Sequence, residues 1–133
     1  MNESIVVVVP GEGLQTSVAM AHDDSGRFVV VDACWFVESF AYGDTVELRD
    51  LGDGTWEFVR VVSLGHYDTQ VWTLPKSAAG AEDVDLEELF DEVRNRAGYA
   101  ERALGGLVFT ALPAGTRFDT ATLLRRILDR HTS

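Results

Sequence analysis

The sequence predicts an α+β fold: a small antiparallel barrel-like sheet of about six strands, followed by a helix-strand-helix unit that completes one domain. Three observations carry this. Up to residue 74, short runs rich in β-branched and aromatic residues alternate with turns of Gly, Asp and Pro. Beyond residue 84 the apolar residues change to helical spacing. Between them, residues 76–83 (Lys76, Ser77, alanines, Gly80) form a bland linker. At 133 residues the chain suits a single domain, with a β-rich segment 1–75 and a helix-strand-helix segment 84–133.

The first strand, residues 5–9, is β-branched and stops at Pro10 and Gly11, since proline has no amide to donate. A second strand over 15–21 follows the turn at Gly11 and Gly13. Asp23, Asp24, Ser25 and Gly26 then make a hairpin loop into a third strand over 27–31. In Tyr42-Gly43-Asp44 a glycine free to take positive φ sits beside an aspartate able to bond nearby amides, which sets a tight turn. Residues 45–49 alternate, with Val46 and Leu48 on one face and Thr45, Glu47 and Arg49 on the other. Gly52-Asp53-Gly54 turns the chain into a strand over 55–62, in which Trp56, Phe58 and Val62 are expected opposite Val59 and Val61. Residues 67–74 form the sixth strand before Pro75.

Asp85 is expected to cap a helix, with Glu88 completing a capping box. Leu86, Leu89, Phe90, Val93 and Ala97 supply its apolar stripe, and Gly98 its stop. Acids near its start and Arg94 and Arg96 near its end match the helix dipole. After Gly105 and Gly106, residues 107–112 read as a buried strand ended by Pro113. A second helix over 118–131 turns Leu123, Leu124, Ile127 and Leu128 inward. A helix-strand-helix unit cannot cover the edges of its own strand, so 107–112 is expected to add to a sheet edge of the N-terminal part.

Hydrophobic residues at 46% and charged residues at 25% match a globular chain and argue against disorder. The 22 acidic and 11 basic side chains give a net charge of −11. Such a chain repels polyanions, so neither nucleic acid nor an anionic membrane is an expected partner. The excess is uneven. Residues 1–75 hold 12 acids and 3 arginines (net −9), whereas 76–133 hold 10 acids and 8 cations (net −2). The longest apolar run is far below the ~20 residues that span a bilayer. No basic region precedes an apolar one at the N-terminus, so a cytoplasmic location is expected. A single cysteine, Cys34, cannot form an intramolecular disulfide or a multi-cysteine metal site, and its apolar neighbours Ala33, Trp35 and Phe36 suggest a buried thiol.

Few residues suggest chemistry. His66, Tyr67 and Asp68 offer an imidazole, a phenol and a carboxylate; in an extended strand His66 and Asp68 would share a face, letting Asp68 orient His66 as a general base. The competing reading is that His66 caps a turn. His22, Asp23 and Asp24 with His66 could supply metal ligands, yet no HxH, HxxxH or HExxH spacing occurs, and neither metal nor cofactor is expected. Gly11-Glu12-Gly13 is too short for a phosphate loop, and no Gly-x-Ser-x-Gly elbow is present. The aromatic residues Trp35, Phe36, Phe40, Tyr42, Trp56, Tyr67 and Trp72 concentrate in the acidic β segment. Most belong to a core, but Trp35, Tyr42, Asp44 and Trp56, joined by Glu87 and Asp91 of the first helix, are the expected contacts for a basic partner.

The early strand pair, Gly26-Arg27-Phe28 leading into a strand, Tyr42-Gly43-Asp44 before a Val-rich strand and Ser63-Leu64-Gly65-His66 before another carry a resemblance. So does residues 107–113 before the last helix. With these features the chain resembles an uncharacterised bacterial family, domain of unknown function 4265, over most of its length. It departs at Asp32-Ala33-Cys34-Trp35-Phe36, where the family tends to show an Asn-x-Pro turn. The resemblance implies architecture and no activity. Three functions are therefore expected in order: a non-enzymatic, immunity- or inhibitor-like module docking a basic protein; a small enzyme or ligand-binding domain using His66 and Asp68 in a cleft; and an assembly subunit pairing a strand edge with its own copy, as monomer or homodimer.

Overall fold

A computed structural model describes residues 2–22, 27–35, 37–74, 85–103 and 106–132. The fold is α+β, and the chain divides into two compact units, Met1–His66 and Tyr67–Ser133. The linker expected over 76–83 and the hairpin loop 23–26 lie outside the described residues.

In the first unit, β1 (Asn2–Val9), a 3₁₀ turn (Pro10–Glu12), β2 (Leu14–His22), β3 (Phe28–Val30), β4 (Thr45–Asp50) and β5 (Thr55–Ser63) form a closed barrel. Each strand is antiparallel to the next, so the fifth runs in the direction of the first. The ring therefore closes on a parallel seam, Val6 to Thr55, Val7 to Trp56 and Val8 to Glu57. Alternation puts Ile5, Val7 and Val9 inside with Val18, Met20, Phe28, Val30 and Val46, and Phe40 joins them from the loop before β4.

β5 breaks the expected alternation. Its register against β4 slips between Thr45 and Val46 and again between Glu47 and Leu48, leaving Val59 and Val62 without a partner on β4. Each bulge moves the following residues to the other face, so Val61, not Val62, joins Trp56 and Phe58 against the core, while Val59 is 45% exposed. Bulges of this kind curve a strand, which a ring of only five strands requires.

The sixth expected strand exists as β6 (Tyr67–Thr73) but is not part of the barrel. A closed ring offers no edge to it. β6 pairs instead along all seven residues with β8 (Leu107–Pro113), the strand expected to complete an N-terminal sheet. On the other side of β8 lies β7 (Tyr99–Ala103), which the sequence reading missed. Its Tyr, Ala, Glu, Arg, Ala run has no alternating apolar signal, and tertiary pairing makes it a strand. The resulting antiparallel sheet has the order β6-β8-β7.

α1 (Glu87–Asn95) and α2 (Thr120–Thr132) complete the second unit, where Leu86, Leu89, Val93, Leu123, Leu124 and Ile127 pack with Leu74 and Val108. The expected capping box at α1 does not close. Asp85 Oδ1 accepts the Glu87 amide at 2.9 Å, but the Glu88 carboxylate pairs with Arg130 of α2 at 3.0 Å. α2 begins two residues later than expected because Asp119 is its cap, accepting the Thr122 amide at 3.0 Å and the Thr122 hydroxyl at 2.7 Å.

The end of α1 reverses the usual division of labour. Ala97 takes the left-handed conformation (φ 59°), while the Gly98 amide donates to the Val93 carbonyl at 2.9 Å. Gly98 is needed for a different reason: a Cβ there would lie 2.5 Å from the Ala111 carbonyl oxygen and 2.8 Å from Val93 Cγ1. Ala97→Gly should stabilise the protein by about 0.5–1 kcal/mol by relieving the positive φ, and Gly98→Ala should destabilise it by about 1–3 kcal/mol. Urea unfolding of the two variants checks both signs.

Candidate functional site

The two turn motifs that stand out in the sequence form one structure. The Gly43 amide donates to the Val30 carbonyl at 2.8 Å and the Val30 amide to the Asp44 carbonyl at 2.9 Å, so the 41–44 turn continues the β3 ladder. The Asp44 side chain, 7% exposed, then accepts the Ala41 amide through Oδ2 at 3.0 Å and the Gly65 amide through Oδ1 at 2.9 Å. Gly65 lies so close to this turn that a Cβ on it would come within 2.3 Å of the Gly43 carbonyl carbon. Asp44 is thus engaged inside the barrel unit and presents little carboxylate to a partner, contrary to its expected place on a docking surface.

His66 follows this clamp with φ 59°, exposed and outside any strand. For His66 and Asp68 to share a face the backbone must be extended through 66, and β6 begins only at Tyr67. The boundary between the units also falls between His66 and Tyr67. Tyr67 and Asp68 belong to a different setting. They line a groove of about 470 Å³ in the second unit with Gln70, Thr110, Thr116, Phe118 and Thr120. An adjoining recess of about 570 Å³ shares Gln70, Phe118 and Thr120 and adds Trp72, Arg117 and Asp119.

The register explains the groove. Asp68, Gln70 and Trp72 stand opposite Leu112, Thr110 and Val108, on the sheet face where Val108 meets the helices. Beyond the start of α2 at Thr120, Thr116 and Phe118 of the preceding segment line the far end of this face. Trp72 Nε1 donates to Thr110 Oγ1 at 3.0 Å, Thr110 and Thr120 are 2% and 4% exposed, and the Arg96 guanidinium lies 4.1 Å from the Phe118 ring centre. The groove therefore combines aromatic walls with hydroxyl, amide and carboxylate groups, a set suited to a small polar ligand.

The other expected contact residues are dispersed. Trp35 and Tyr42 are half-buried; Trp56 packs against the barrel core, its ring edge-on to Phe28 at 5.1 Å. Glu87 and Asp91 are exposed on α1 and both face Arg94. Cys34, expected to be buried, is half-buried at φ 53° and lines a recess of about 200 Å³ with Thr16, Ser17, Asp32 and Trp35. His22 pairs with Glu3 at 2.9 Å; Asp23 and Asp24 of the considered metal site, and Phe36, lie outside the described residues. Among the described residues no three His, Cys, Asp or Glu side chains gather as metal ligands, and no helix is long and apolar enough to cross a membrane.

A role that the sequence reading missed unites the acids of the barrel unit: many accept backbone amides. Glu12 takes the amides of Glu38 and Ser39 and the Ser39 hydroxyl, and Asp32 takes those of Ala19 and Ala33. Asp50 binds the Gly52 amide, and Asp53 the amide and hydroxyl of Thr55. Two of the short-range cases, Asp50 with Gly52 and Asp53 with Thr55, follow a readable pattern, an aspartate two residues before Gly or Thr. The Glu12 contact spans 26 residues and carries no local signal. These bonds matter electrostatically: the Ser39 hydroxyl, aided by the amides, holds Glu12 below its ordinary pKa, and the Thr55 hydroxyl and amide do the same for Asp53.

No family model and no curated protein matches the chain. It is similar in fold to a crystal structure of a hypothetical protein from Neisseria gonorrhoeae, with a TM-score of 0.54, 15% identity, and coverage of 99% of this chain and 90% of that one. At that identity the likeness concerns the fold alone.

Asp44→Ala leaves the Ala41 and Gly65 amides without their acceptor and should cost about 3 kcal/mol in urea unfolding. Asp44→Asn, which retains one acceptor oxygen, should cost less. Acid should act through Glu12, Asp53 and Asp119, each shifted below its ordinary value by hydroxyl and amide donors. A depressed carboxylate stabilises the fold fully above its unfolded pKa and loses that contribution as pH falls through its folded one. The urea midpoint should therefore drop between about pH 5 and pH 3, less steeply in Glu12→Gln.

Proposed function

We propose that this protein is a non-enzymatic binding module, immunity- or inhibitor-like, whose barrel unit docks a basic protein. The observation that carries this reading is the charge of residues 1–66: 11 acids against 3 arginines, net −8. Of those arginines, Arg49 faces Glu57 at 2.7 Å and Arg60 faces Glu47 at 3.0 Å on the β4–β5 wall. The excess negative charge thus lies toward the loops, at Glu12, Asp32, Glu38, Asp50 and Asp53. Carboxylates already held by backbone amides lose little freedom on binding, which favours recognition by fixed charge. The half-buried Trp35 and Tyr42 add aromatic surface of the kind that anchors interfaces. A cytoplasmic location and kinship with domain of unknown function 4265 belong to the same proposal; the turn and glycine residues that carry the kinship are those of the Asp44 clamp.

A second reading is favoured by one observation. The groove carrying Tyr67 and Asp68 with Gln70, Thr110 and Thr120 supports a ligand-binding or small enzymatic role for the second unit. On that reading Asp68 acts without the help of His66.

Affinity capture on the immobilised protein, followed by reconstitution with the purified partner, tests the first reading. A basic protein should bind with defined stoichiometry, and its affinity should fall steeply toward about 1 M salt, where the screening length shrinks to ~3 Å. Glu38→Lys should weaken it further. A partner that binds independently of salt, or no partner at all, would refute the proposal.

A further inference from the structure

The barrel closes on itself and leaves no edge, but the second sheet has two, and they differ. β7 is short, half-buried along its whole length, and carries Glu101 and Arg102. β6 is seven residues long, and Asp68, Thr69, Gln70 and Val71 are exposed in succession, as is Thr73. Every second residue of an edge strand turns its amide and carbonyl away from its neighbour. Edges of this kind are usually blunted by lysine, proline, a bulge or a covering element. Among the described residues of the second unit β6 has none of these: its register with β8 is unbroken, and Asp68 is its only charge. Thr69, Val71 and Thr73 form a stripe of β-branched side chains on one face, with Val71 54% exposed.

We infer that β6 is a self-association edge, at which two copies of this chain pair their β6 strands antiparallel about a two-fold axis through Gln70. An antiparallel strand pair is self-complementary under such an axis, so one edge supplies both halves of the interface. The register follows from the strand itself. Centring on Gln70, the midpoint of Tyr67–Thr73, pairs all seven residues and sets Thr69 against Val71 of the second copy. It also places Asp68 opposite Trp72, whereas centring on Asp68 would oppose two carboxylates. Two three-stranded sheets become one of six strands, and the grooves that share Gln70 lie side by side across the axis. Seven residues per strand bury less than the ~1,000 Å² typical of a stable interface, so the dimer is weak and concentration-dependent.

Charge separates this inference from the proposed function. Two copies, each of net charge −11, repel one another, so salt should strengthen the dimer, whereas salt weakens docking of a basic partner. Sedimentation velocity at rising protein concentration should show a monomer–dimer equilibrium that shifts toward dimer between about 0.05 and about 0.5 M salt. Val71→Lys should weaken association by about tenfold or more, and Val59→Lys, at another exposed valine on the barrel, should leave it unchanged. Under oxidation Gln70→Cys should give a dimer whose cross-linked peptide joins position 70 to itself. A monomer at every concentration and salt, a dimer indifferent to Val71→Lys, or a Gln70→Cys chain that forms no such cross-link would overturn the inference.

Discussion

The carboxylate of Asp44 accepts the Ala41 amide with one oxygen and the Gly65 amide with the other, in a site where water has almost no access. Buried amides need acceptors, and a charged acceptor makes the stronger bond. This bracket joins the turn that enters β4 to the loop that leaves β5, so both ends of the β4–β5 hairpin are held at one point. The contact between Gly43 and Gly65 has no room for a side chain, which makes the two glycines part of the same device. Where the chain exits the barrel depends on it. His66 takes a left-handed conformation as the next residue after the clamp.

The same chemistry recurs around the barrel. The connections of the barrel leave amides without ladder partners, and carboxylates of Glu12, Asp50 and Asp53 take them up, while Asp32 binds the Ala19 amide of β2 and the Ala33 amide. An acidic composition is therefore first a structural consequence of a small barrel with many turns. Its electrostatic field is the by-product, and at Glu12 and Asp53 the hydroxyl and amide donors favour the charged form. A surface built this way has its charges in fixed positions, which suits recognition of a cationic protein better than a flexible acidic tail would.

The second unit solves a different problem. A three-stranded sheet packed against α1 and α2 on one face keeps its central strand paired on both sides but leaves two edges and, beyond the start of α2, a groove lined by Thr116 and Phe118. The groove and the open edge arise from the same strand, β6: Asp68, Gln70 and Trp72 stand on the sheet face where Val108 meets the helices and Thr69, Val71 and Thr73 on the other, while Tyr67 and Thr69 also border the groove at the strand's start. A ligand in the groove and a second copy at the edge would consequently sense one another through Gln70.

Local signals in the sequence determined the α+β class, six strands before residue 75, the apolar stripes of both helices and the turn at Tyr42-Gly43-Asp44, because alternation, helical spacing and turn chemistry act over a few residues. They also placed Tyr67 and Asp68 among the residues worth following. Only the tertiary structure decided that five strands close and the sixth departs, since closure depends on bulges at Val59 and Val62 that shift register without altering composition. It likewise made a strand of residues 99–103, where pairing with β8 overrides a neutral propensity. The union of Asp44 with Gly65, of Glu12 with Ser39 and of Asp68 with Thr120 in one groove joins residues 21, 27 and 52 positions apart. No local pattern encodes such separations, because they are set by how strands and helices stack once the chain has folded.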